Sequence, residues 1–134
     1  MSEYFCFLIR LGCIALHLIL FLRCLLVSWH RIPSSVMYTW ENSPSCKQAI
    51  AAFETIGAVP KIVRLDDPWD EGNPIRATLG RKVGRTSVPF VFVGGQYIGG
   101  YDGGLEGNPD AGGMVDLAFR GKLREMLTEA GALN

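Results

Sequence analysis

The chemistry-bearing residues of this chain begin at Ser43-Pro44-Ser45-Cys46-Lys47-Gln48-Ala49, where one thiol follows a hydroxyl by three positions and a proline by two. Ser43 is a good helix N-cap, and Pro44 suits the first helical position, where a missing N–H costs nothing. A sulfur at such a cap faces the free N–H groups of the first turn and is held as thiolate, the nucleophilic form. The cap here carries an alcohol, which ionises far less readily than a thiol. Cys46 lies about one turn further in. Taken alone, a single cysteine is as easily a small buried hydrophobe as a reactive group.

The elements that must hold this segment follow from local patterns. Residues 35–39 (SVMYT) are β-branched and aromatic and read as a strand leading into the cap. Ala49, Ala52, Phe53 and Ile56 fall on one helical face, and Gly57 ends that helix. Residues 61–65 form a second strand. Residues 73–82 form a short helix carrying Ile75 and Leu79. Residues 89–93 and 96–98, joined by Gly94-Gly95, read as a hairpin. A glycine-rich loop leads to a last helix over residues 114–130, with Gly121 its weak point. The order β-α-β-α-β-β-α, with a crossover helix between the first two strands, gives a four-stranded mixed sheet flanked by helices in an α/β fold.

The chain has 134 residues and balanced charge, 13 basic against 13 acidic. One domain is the expectation, and there is no electrostatic footprint for nucleic acid. The 49% hydrophobic content mixes two unlike regions. Residues 4–29 are almost wholly apolar and hold Cys6, Cys13 and Cys24, whereas residues 34–134 read as an ordinary domain with Cys46 alone. The uninterrupted apolar run between Arg10 and Arg23 is 12 residues, short of the roughly 20 needed to span a bilayer. Over the full segment the length suffices, with Arg10 and Arg23 snorkelling toward its ends. Residues 1–33 are therefore set apart as an anchor or secretory leader, or a misplaced start. The matching location is a membrane or the secretory pathway, or the cytoplasm if residues 1–33 are absent.

Beyond these patterns, the sequence resembles the glutaredoxin family over residues 35–134. That family's active-site helix begins Cys-Pro-x-Cys-x-x-Ala, and the same frame here is Ser43-Pro44-Ser45-Cys46-Lys47-Gln48-Ala49, closed by Gly57. Its Thr-Val-Pro before a strand, hairpin and Gly-Gly-x-Asp correspond to Ser87-Val88-Pro89, residues 90–98 and Gly99-Gly100-Tyr101-Asp102. The resemblance implies a thioredoxin-like fold with glutathione as co-substrate. It implies a cis Pro89 that frees the Val88 backbone to pair with the cysteinyl part of glutathione. Tyr101 and Asp102 would meet the γ-glutamyl end, and Arg85, beside Ser87, the glycine carboxylate. Three positions depart from the pattern. Ser43 stands where the family's nucleophilic cysteine belongs, Trp40 replaces a basic residue before the motif, and Gly103 replaces a second acid after Asp102.

The resemblance thus implies a glutathione-dependent thiol–disulfide oxidoreductase in redox homeostasis. Its activity would be low and limited to monothiol exchange through Cys46. The alternative is a catalytically inactive glutathione-binding or membrane-tethered interaction module on the same fold. Expected partners are glutathione and glutathionylated or disulfide-bearing proteins, with the chain a monomer. No metal is expected: no zinc spacing occurs, and the family's iron–sulfur clusters use the thiolate that Ser43 replaces.

Overall fold

A computed structural model describes residues 33–133. The reading of residues 4–29 as a leader or anchor lies outside the described residues. Among those described, no helix is long and apolar enough to cross a membrane.

Strand β1, Ser35–Thr39, buries alternate residues, as a period-two pattern demands. Helix α1 spans Pro44–Ile56, β2 Lys61–Arg64 and α2 Trp69–Val83. The hairpin is β3, Phe90–Val93, and β4, Gln96–Gly99. A 3-10 turn at Pro109–Ala111 precedes α3, Met114–Phe119, and α4, Lys122–Glu129. The sheet order is β2-β1-β3-β4, with β1 parallel to β2 and antiparallel to β3, and β4 antiparallel to β3. This is the four-stranded mixed sheet the element order implied.

Two helices differ from their sequence reading. The second begins at Trp69 rather than residue 73 and takes Pro74 into its interior. Asp70 and Glu71 occupy its first turn, where carboxylates oppose the positive end of the helix. The last helix is two. Gly121 adopts a left-handed φ of 74°, which no α-helix continues, so α3 ends and α4 starts there.

The core joins Met37, Val91, Val93 and Ile98 of the sheet to Ala49 and Phe53 of α1. Met114 and Leu117 of α3 and Leu123 and Leu127 of α4 close it. Full burial of each large side chain contributes about 1.5–3 kcal/mol. All of these residues lie between positions 37 and 127.

Candidate functional site

The sheet topology brings the chemistry-bearing segments to one end. Strand β1 runs into residues 40–43 and the cap of α1. Because β3 is antiparallel to β1, with Tyr38 opposite Phe90, its first residues lie beside the last residues of β1. Strand β4 is antiparallel in turn, Gly99 opposite Val91, so residues 100–102 leave at that same end. Parallel β2 ends there too, and its Arg64 grips the approach to the cap. Arg64 Nη2 donates to Glu41 at 2.8 Å and Nε to Asp66 at 3.2 Å, while the Glu41 N–H donates to Asp66 at 3.0 Å. The bond from Arg64, then that from the Glu41 amide, hold the Asp66 carboxyl below the usual aspartate range.

At the cap, Ser43 has extended backbone angles (φ −81°, ψ 120°), and its hydroxyl accepts the N–H of Cys46 at 3.5 Å. The hydroxyl therefore occupies the place where helix N–H groups converge, as its sequence position implied. Cys46 is on the opposite footing. It shares a stripe with Ala49 and Phe53 facing the core, and only 1% of its surface is exposed. Burial comes from helical period: positions 46, 49 and 53 fall on one face.

Opposite the cap, the Val88-Pro89 bond is cis, the conformation the resemblance implied. Pro89 is buried and Val88 half-buried. Strand β3 starts only at Phe90, and the N–H and C=O of Val88 meet no protein partner among the described residues. A free main-chain edge of this kind accepts an extended peptide as a short extra strand. Beside it, the Gly100 N–H donates to the Gly103 carbonyl at 2.7 Å, turning the chain at Tyr101 and Asp102. Asp102 is exposed, and its carboxylate makes no hydrogen bond or ion pair with the described residues.

Two arginines reach this region in different ways. Arg85 Nη1 donates to the Gly104 carbonyl at 2.9 Å and Nη2 to Ser87 Oγ at 3.0 Å. Arg76, which the sequence reading did not single out, lies with its guanidinium 4.6 Å from the Trp40 ring centroid. Its Nε donates to the Thr86 carbonyl at 3.0 Å, next to Ser87. Trp40 is packed in turn against Trp69, ring centroids 5.9 Å apart. The basic side chain missing at position 40 is thus replaced by a cation brought over that position from α2. Both Nη groups of Arg76 lack a protein partner among the described residues, so their donors remain for an anion. No local signal marks Arg76, because its partner is 36 positions away in sequence.

This end of the sheet presents an unpaired main chain at Val88, a carboxylate at Asp102 and guanidinium N–H donors at Arg76, all without protein partners among the described residues. A hydroxyl lies where a helix end would favour a thiolate. No group of three or more metal-binding side chains occurs among the described residues.

A family model described as Glutaredoxin matches residues 36–98. The chain is 38% identical over 105 residues to Glutaredoxin-C4 of Arabidopsis thaliana, covering 78% of this chain and 67% of that one. It is 36% identical over 98 residues to Glutaredoxin-C6 of Oryza sativa subsp. japonica, covering 73% and 78%. Among solved structures, a buckwheat glutaredoxin in complex with glutathione superposes with a TM-score of 0.65 at 30% identity, covering 76% of this chain and 83% of that one.

Proposed function

The chain belongs to the glutaredoxin family of thiol–disulfide oxidoreductases, and from that premise we propose that it binds glutathione and exchanges disulfides slowly, through Cys46 alone. The cysteinyl main chain of glutathione lies along Val88, with Ser87 and the cis Pro89 shaping that edge. Its γ-glutamyl end meets Tyr101 and Asp102, and its glycyl carboxylate meets Arg76. In exchange, the Cys46 thiolate attacks the glutathione sulfur of a glutathionylated partner. The partner leaves as a thiolate, and Cys46 carries the glutathione. A second glutathione thiolate then attacks that mixed disulfide, releasing oxidised glutathione and restoring Cys46.

Slow exchange follows from the 1% exposure of Cys46 beneath a cap occupied by Ser43. Attack requires the first turn of α1 to open, so the reactive population is a minor one. The same burial favours a second reading, a glutathione-binding module without turnover. Exchange with a small glutathione mixed disulfide separates the two. Slow exchange by the natural protein that Cys46→Ser abolishes supports the first; equal rates for both proteins support the second.

Residues 4–29 are proposed to direct the domain to a membrane or the secretory pathway. Residues 33–134 form a compact unit by themselves. Deleting residues 1–33 should therefore preserve a cooperative thermal melt while removing any partition into membranes. A deletion that abolishes the melt would place the segment inside the fold.

A further inference from the structure

Both Nη groups of Arg85 are engaged within the protein. One half of its fork holds the Gly104 carbonyl and the other the hydroxyl of Ser87. Ser87 directly precedes Val88 and the cis proline. Gly104 directly follows the turn that carries Tyr101 and Asp102. Strand β3 begins at Phe90 and β4 ends at Gly99, so neither segment is held there by the sheet ladder. Among the described residues, no backbone hydrogen bond joins residues 85–89 to residues 100–105. The guanidinium supplies the polar link between them.

Gly103 fits the same arrangement. A Cβ at that position would stand 3.0 Å from Arg85 Nη2 and 3.1 Å from Nη1, tighter than ordinary contact. Its φ is not in the left-handed region, so a side chain there would be limited by space and not by conformation. A Cβ at 103 would make the fork give by a few tenths of an ångström.

We infer that Arg85 is a positioning residue, a clip fixing the spacing between the Val88 edge and the Asp102 turn, and that it thereby sets selectivity for the γ-glutamyl end of glutathione. This rests on the glutathione reading above. A ligand that pairs with Val88 through its cysteinyl part reaches Asp102 with its γ-glutamyl amine only if the two segments keep one separation. Lysine cannot replace the clip, because a single ammonium lacks the planar fork that spans two acceptors.

The test compares glutathione with cysteinylglycine, which lacks the γ-glutamyl group, and with the glycyl ethyl ester of glutathione. Affinities are measured on the full chain, on Arg85→Lys and on Gly103→Ala, which keeps the arginine but crowds its fork. Arg85→Lys should lose about tenfold or more of the preference for glutathione over cysteinylglycine, and Gly103→Ala a smaller part of it. Both should keep the preference for glutathione over its ester, which Arg76 supplies. Loss of the ester preference with the γ-glutamyl preference intact would instead make Arg85 a direct carboxylate ligand and overturn the clip. A second measurement needs no ligand. Hydrogen exchange at the Gly100 amide, which is bonded across the turn, should quicken in Arg85→Lys while exchange at Met37 and Val91 stays unchanged. Unchanged exchange at Gly100 overturns the clip. A natural protein with no preference for glutathione over cysteinylglycine overturns the selectivity inference along with the glutathione reading. The amide measurement tells that result apart from failure of the clip itself.

Discussion

Replacing Ser43 by cysteine is expected to turn a slow protein into a fast one. The hydroxyl already occupies the cap, within 3.5 Å of the Cys46 amide. Sulfur differs from it by one atom and can accept the same N–H at a slightly longer distance. Pro44 at the first helical position and the 13-residue α1 behind it are unchanged. The introduced thiol faces the positive helix end, which lowers its pKa below the roughly 8.5 of free cysteine. At neutral pH a free cysteine is only a few per cent thiolate. A shift of a unit or two raises that fraction, and with it the exchange rate, by about tenfold. Exposure adds to this, since the cap is half-buried whereas Cys46 is sealed. Stopped-flow exchange with a glutathione mixed disulfide should show the gain. A thiol at that position that titrates like free cysteine would mean that the helix end does not activate sulfur.

Replacing Arg76 by alanine should produce the largest loss of glutathione affinity of any single change at the carboxylate end. A hydrogen bond to a charged group is worth about 1.5–3 kcal/mol, or about ten- to a hundredfold in affinity. Removing Asp102 by alanine should cost a similar amount at the amine end. The two act on opposite ends of the ligand, so their losses should be nearly additive. Each is read as a smaller rise in melting temperature when glutathione is added. Salt should reduce the rise in the natural protein and have less effect once Arg76 is gone. Equal thermal shifts for the natural protein and both variants would remove the ligand as drawn.

What the sequence made legible is what short-range chemistry decides. Ser43 followed by Pro44 marks a helix start because both act within one turn, and Gly94-Gly95 marks a hairpin for the same reason. Positions 49, 52, 53 and 56 reveal the core face of α1. The start of α2 was obscured because Pro68 and Pro74 both punctuate residues 66–74, and only the fold shows that the helix begins between them. The break at Gly121 was visible as a weak point, but a left-handed turn there depends on how α3 and α4 each meet the core. Long-range side-chain placement was out of reach. Trp40 reads as a lost cation until Arg76 is found above it. Arg85 reads as a ligand of the glycine carboxylate until its two acceptors within the protein are seen.

A glutathione site is expected to persist in this chain although the usual thiolate is absent. Calorimetric titration of the full, reduced chain with reduced glutathione at neutral pH measures it. One saturating transition with one ligand per chain is predicted, with an affinity that falls as salt is raised. A titration without saturable heat, together with a melting temperature unmoved by the same glutathione, would contradict it.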